Sequence, residues 1–132
     1  MRDIQTVLEQ WGAWAADENS GVDYSHIAAG FKGLIPSSKR SKEQCSDSDG
    51  LKIDMAITQM KDTNSYYFQL IIMYYLKGYT LRTMGGKMGI SHNEVAKRLQ
   101  AAEGYIDGWL ASSGVRLESD VNYAKNYMYA LA

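Results

Sequence analysis

Apolar residues recur every three to four positions along most of this chain, the spacing of one face of an α-helix. Ile4, Val7, Leu8, Trp11 and Ala15 share one stripe and predict a helix over residues 2–16. Trp14 falls beside that stripe and is expected part-exposed, available to a partner. Residues 17–24 form a polar turn, and 25–33 allow a short helix capped by Ser25, with Ile27, Ala28 and Phe31 inward. A helix over 50–62, with Asp49 as N-cap, buries Ile53, Met55, Ala56, Ile57 and Met60. Another starts at Asn64 or Ser65 and runs to about Lys77, with Tyr67, Phe68, Ile71, Ile72 and Tyr75 inward and Tyr66 and Tyr74 outward. Gly78 ends it. A single proline and scarce alternating β-branched runs point to an all-α fold: a small helical domain.

The most informative stretch is Thr80 to Leu99. Thr80 caps a short helix whose stripe is Leu81, Met84 and Met88. Gly89 follows, suited to a left-handed turn, and Ile90 plugs the turn. Ser91 with Glu94 three residues on is a capping box. Val95, Leu99, Ala102, Ile106 and Leu110 then continue as one long apolar face. Gly85 stands where the two helices must approach closely. Two readings fit this pattern, a plain αα-corner and a DNA-binding helix-turn-helix whose second helix enters the major groove. The face left for solvent on that helix bears His92, Asn93, Ala96, Lys97 and Gln100, a set matched to base edges, with Ser91 close by. Arg82, Lys87 and Arg98 flank it, where phosphates would lie.

Charge sharpens the second reading. The formal net charge is only −1 over 132 residues, which does not advertise nucleic-acid binding. Its distribution is uneven. Residues 1–31 set Arg2 against Asp3, Glu9, Asp17, Glu18 and Asp23, a net of −4, whereas residues 77–116 carry a net of +3. A local basic surface on a weakly acidic protein suits site-specific binding and limits the non-specific kind.

Other chemistry finds little support. Cys45 is the only cysteine, so neither an intramolecular disulfide nor a cysteine-based zinc site can form within one chain. The only histidines, His26 and His92, sit in no triad, metal or phosphate-loop pattern. Asp47 and Asp49 are paired by spacing alone, and a solvated loop accounts for them. The chain is therefore expected to be neither an enzyme nor the holder of a cofactor or metal. The charged, amphipathic start is no signal peptide, and no apolar run approaches the roughly 20 residues of a membrane span. A cytoplasmic protein of a reducing compartment, with no membrane partner, is expected.

Thr80 to Leu110, above all GISHNEVAKRL and the helix continuing from it, resembles region four of bacterial sigma factors. The blocks MRDIQTVLEQWGAWAA, YSHIAAGFKGLIPS and QCSDSDGLKID resemble the antitermination proteins Q of lambdoid phages, the class whose DNA-binding part is sigma-like. The match runs from Met1 to about Leu117. The resemblance implies a sigma-region-four-like helix-turn-helix and a transcription antitermination factor. Such a factor binds double-stranded DNA at the phage late promoter and loads onto paused bacterial RNA polymerase that still holds sigma factor. It then restricts the RNA exit channel so that terminator hairpins cannot form. A second copy on the DNA element is part of that picture. The resemblance also implies base reading by Ser91, His92, Asn93, Lys97 and Gln100. Where sigma-like modules often carry arginine, His92 offers one donor or acceptor per ring nitrogen instead of a fork.

The layout expected is an N-terminal helical segment over 1–33, a flexible basic arm or linker over 34–49, the helix-turn-helix region over 50–112, and a C-terminal tail over 113–132. In that tail Tyr123, Tyr127 and Leu131 share a face, so that it either frays or forms a short helix. Trp14 and the arm residues Lys39, Arg40 and Lys42 are the candidates for touching polymerase or nucleic acid. Two further functions stay open at this point: a helix-turn-helix regulator acting by occupancy alone, and a protein-only adaptor docked on polymerase.

Overall fold

A computed structural model of the protein describes residues 2–17 and 43–120. Most of these residues are helical, and no strand occurs among them. In chain order they form α1 (Ile4–Ala16), α2 (Asp47–Thr63) and α3 (Ser65–Ile71), which runs straight on into a π-helical turn (Ile72–Leu76). Next come α4 (Leu81–Met88) and α5 (His92–Ser112). The helix expected at 25–33, the arm cations Lys39, Arg40 and Lys42, and the residues from 121 onward lie outside the described residues.

Four helices start on a side chain that accepts an otherwise orphaned backbone N–H. Ser46 accepts from Asp49, Asn64 from Tyr67, Thr80 from Thr83 and Ser91 from Glu94, at 3.1–3.2 Å. The cap of α2 is thus Ser46 and not Asp49, and the helix begins three residues before the expected start. Asp47 and Asp49 fall in its first turn, where the helix dipole favours carboxylates. Residues 47–49, expected in the arm, therefore belong to the helical body.

The long stripe of α5 is buried as its spacing predicts: Val95, Leu99, Ala102, Ile106 and Leu110 join one core with Leu8, Trp11, Ile53, Ile57, Met60, Leu70, Ile71 and Met84. Other faces differ from the expectation. The Trp14 side chain, expected part-exposed, is 2% exposed. Its indole N–H donates to Asp47 Oδ1 at 2.8 Å, and its ring lies flush against Gly50, where any Cβ would overlap it. Trp14 is thereby removed as a surface contact. Met55, expected inward, is 64% exposed and stands beside exposed Leu51 on the solvent side of α2.

The π-helical turn explains another shift. Its wider i→i+5 winding, closed by Lys77 N–H to Ile72 O at 2.9 Å, inserts a residue and turns the following face away from the 3.6-residue projection. Leu70, Ile71, Ile72 and Leu76 are buried, whereas Tyr67, Phe68, Tyr74 and Tyr75 are half-buried. Tyr75 instead donates its hydroxyl to the buried carboxylate of Glu103, which also accepts from Gln5 Nε2 at 3.4 Å. Burial, and then that hydrogen bond, push the phenol far above its ordinary pKa, so it stays a neutral donor. Helix α1 crosses this turn with Gly12 set directly on the carbonyl of Tyr75.

Residues 115–120, within the expected tail, are packed and not frayed. Leu117 is buried. Asp49, itself only 2% exposed, accepts from the backbone N–H of Glu118 at 2.7 Å and of Ser119 at 3.2 Å. Lys52 donates to the carbonyl of Arg116 at 2.8 Å. Arg2 donates to the carbonyl of Val115 at 3.1 Å and pairs with Asp120 at 3.0 Å. Asp49 is therefore a buried anchor and not a loop residue in solvent. Beside it, burial first and Asp49 second push the Cys45 thiol up to about 11, which leaves it protonated and a poor nucleophile at neutral pH.

Candidate nucleic-acid interface

The corner between α4 and α5 rests on two glycines and one main-chain hydrogen bond. Gly89 takes the left-handed conformation at φ 72° and ψ 30°, which a residue with a Cβ adopts only under strain. The N–H of Ile90 then closes on the carbonyl of Gly85 at 3.1 Å. Gly85 is buried, and a Cβ there would lie 2.6 Å from the carbonyl oxygen of Ile90 and 3.4 Å from the N–H nitrogen of His92. The close approach expected at Gly85 is thus present, and it sets the angle at which α5 leaves the turn. Gly86 differs: a Cβ there meets nothing within 4 Å. Gly86→Ala should raise stability by up to about 1 kcal/mol, the cost of glycine in a helix interior. An increase in the urea midpoint would show it, and a decrease would mean that this face of α4 is covered.

On α5 the projection of about 100° per residue brings Asn93, Lys97 and Gln100 within roughly 60° of arc, opposite the buried stripe. All three are exposed. Half-buried Ala96 lies at the margin of this face and adds no bulk to it. His92 stands half-buried at the same margin, next to the Gly85 corner. Ser91 is exposed, with its hydroxyl oxygen engaged by the N–H of Glu94. Only this half of the capping box forms, because the Glu94 carboxylate turns away toward Arg98. Of the residues expected to read bases, then, three share one open face and two lie at its beginning.

The flanking cations part company. Arg82 and Lys87 are exposed on α4. The ammonium of Lys87 hangs 5.4 Å from the ring centroid of Tyr79, and that of Lys77 lies 5.8 Å from the same ring, a cation–π grouping that the sequence reading did not foresee. No acidic residue occurs from Thr63 through Asn93, so the surface of α4 carries cations undiluted. Arg98 is different. Its Nε pairs with Glu94 Oε1 at 3.1 Å, its Nη1 donates to the hydroxyl of Tyr66 at 2.7 Å, and its guanidinium carbon lies 5.9 Å from the centre of the Tyr66 ring. The Tyr66 hydroxyl first, and Glu94 second, push its pKa further up. The i,i+4 spacing of Glu94 and Arg98 was a legible signal for this pair. Tyr66, 32 residues away, was not.

Among the described residues no three His, Cys, Asp or Glu side chains cluster as metal ligands, and no helix is long and apolar enough to cross a membrane.

Comparison with known proteins adds the context that the geometry lacks. The family model described as phage antitermination protein Q matches residues 1–118, nearly the whole chain. This chain belongs to that family. The Q-family chain is 47% identical over 121 residues to the prophage antitermination protein Q homolog QuuD of Escherichia coli strain K12, covering 92% of this chain and 95% of the relative. It is 46% identical over 120 residues to antitermination protein Q of Escherichia phage 933W, covering 91% and 83%. A probable antitermination protein Q of Acyrthosiphon pisum secondary endosymbiont phage 1 is 45% identical over 120 residues, covering 90% and 81%. No solved structure matches the chain significantly. The Q-family match takes in α1, the α4–α5 corner and the Asp49 anchor together, ending inside the packed segment at residue 118.

Proposed function

We propose that this chain is a phage transcription antitermination factor whose α5 reads a DNA element at the late promoter in the manner of sigma region four. In this reading the protein then loads onto promoter-proximally paused RNA polymerase with sigma attached, and restricts the RNA exit channel so that downstream terminators fail. Membership of the antitermination family supports the process. The observation that carries the DNA-reading part is the open face of Asn93, Lys97 and Gln100 on a helix leaving a glycine-locked corner, beside acid-free α4 with Arg82 and Lys87. Ser91 and His92 complete the base-reading set, and Arg82 and Lys87 hold the phosphate backbone.

Lys97→Ala is expected to weaken binding to the selected duplex by about 1–3 kcal/mol and to relax sequence preference at one position. A fluorescence-anisotropy titration at physiological salt checks this. Unchanged affinity would take Lys97 out of the reading face.

The process itself is tested by single-round transcription. The template carries the late promoter, pause site and a downstream intrinsic terminator of the phage encoding the chain. The expected result is read-through that rises with the protein and disappears when the upstream element is scrambled. Altered promoter output without read-through would instead support a helix-turn-helix regulator acting by occupancy. Read-through indifferent to the element would support an adaptor that needs no DNA.

A further inference from the structure

We propose that Arg98 is a positioning residue for the DNA-reading helix, not a phosphate ligand, and that it acts through a latch made with Glu94 and Tyr66. The inference rests on the DNA-reading role of α5 proposed above and deepens it.

Three contacts converge on the guanidinium, and each removes some of its freedom. Glu94, in the first turn of α5, takes Nε at 3.1 Å. The hydroxyl of Tyr66, in the first turn of α3, takes Nη1 at 2.7 Å. The guanidinium carbon is 5.9 Å from the centre of the Tyr66 ring, close to its hydroxyl edge. A fork-shaped group with one arm on each partner ties the first turns of two helices together. The turns so joined matter. The first turn of α5 bears His92 and Asn93, and the next bears Lys97. The start of α3 is in turn fixed by the Asn64 cap and by the edge-on stack of Tyr67 on Tyr105, 6.2 Å apart. The latch thus references the reading face to the start of α3 in the helical body.

The latch also accounts for the unfinished capping box. Glu94 would ordinarily reach back to the N–H of Ser91; here it faces forward to Arg98. That choice neutralises the arginine on the flank of α5. On this surface Arg82 and Lys87 then hold phosphates and Lys97 reads a base, while Arg98 contributes to alignment. A positioning cation and a phosphate ligand differ in one thermodynamic respect. A phosphate ligand releases counterions, so its loss flattens the dependence of log affinity on log salt by about 1. A positioning residue shifts the line without changing its slope.

The experiment uses the full chain and duplexes selected from a random library by the wild-type protein. Affinity for the selected duplex and for a scrambled one is measured from low to high salt, for wild type, Arg98→Gln, Tyr66→Phe and the double variant. Tyr66→Phe keeps the ring and removes only the hydroxyl, so it leaves the fold intact. The expected result is that each single variant loses roughly two- to fivefold in affinity for the selected duplex, the scale of an exposed ionic contact. The double variant loses no more than either single one, scrambled-duplex affinity stays level, and the salt slope is unchanged. A slope flattened by about 1 in Arg98→Gln, with scrambled binding falling in step, would make Arg98 a phosphate ligand and overturn the proposal. Losses that multiply in the double variant would also overturn it, because the two residues would then act separately. If the wild-type protein enriches no duplex at all, the DNA-reading role fails, and the latch as a positioning device falls with it.

Discussion

Gly12→Ala is expected to destabilise the protein by about 3 kcal/mol, lowering the thermal midpoint by roughly 10 °C. Helix propensity alone forecasts the opposite sign, since alanine is better than glycine inside a helix by up to about 1 kcal/mol. The packing decides against propensity here. A Cβ at Gly12 would run into the main-chain carbonyl of Tyr75, and a backbone atom cannot swing aside as the end of a long side chain can. Either α1 lifts from the core, opening the cover over Trp11 and Leu8, or the π-helical turn rewinds and moves Tyr75 off Glu103. A urea titration of Gly12→Ala beside Gly86→Ala makes the comparison clean, because both substitutions add one methyl group to a helix and the two shifts should have opposite signs. An unchanged or raised midpoint for Gly12→Ala would mean that α1 does not sit on the π-helical turn.

The second large effect is expected at Asp49. Asp49→Ala withdraws both acceptors from the backbone N–H groups of Glu118 and Ser119 and leaves them in a partly buried setting. Unsatisfied buried donors cost about 1–3 kcal/mol each, so a loss of about 3 kcal/mol is expected for the variant. Asp49→Asn keeps one acceptor oxygen and should lose less. The change is local before it is global. Tryptic cleavage after Arg116, followed by mass spectrometry of that one site, should quicken by about tenfold in Asp49→Ala while helical circular dichroism at low temperature persists. Cleavage at the wild-type rate would show that residues 117–120 are held by something other than this carboxylate.

What the sequence made legible is mostly local. Thr80, Gly89 and Ser91 carry their structural meaning in residue type, and the two-helix corner lies where those three residues put it. The stripe of α5 was readable because one unbroken helix keeps one period. Where the period breaks, the reading breaks with it: within the π-helical turn the buried position falls on Leu76 and not on Tyr75, and no residue type marks such a turn. Partners far apart in sequence were equally silent. Trp14 looked free because its acceptor Asp47 is 33 positions away, and Asp49 looked solvated because the N–H groups it holds are 69 and 70 positions away. Gly12 and Gly50 are seats for a carbonyl and an indole that no spacing in the sequence announces. At the candidate interface, the outward set Asn93, Lys97 and Gln100 follows from helical geometry alone. The contact of Arg98 with Tyr66 spans 32 positions and could come only from the tertiary arrangement.

The clasp of Arg2 on Val115 and Asp120 has a bearing on how the chain acquires its shape during synthesis. These contacts join positions 113 and 118 apart, in a helical protein whose other pairings are mostly short-range. A nascent chain can wind α1 early, yet the partners that fasten Arg2 are translated 113 and 118 residues later. High sequence separation of this kind slows the final docking step relative to a helical domain of purely neighbouring contacts. At about 5–20 residues per second, Arg2 waits several seconds for this clasp, whereas Trp14 finds its cover on Asp47 and Gly50 well before then. The first helix is therefore secured in two stages, early against α2 through Trp14 and late at its start through residues 115–120.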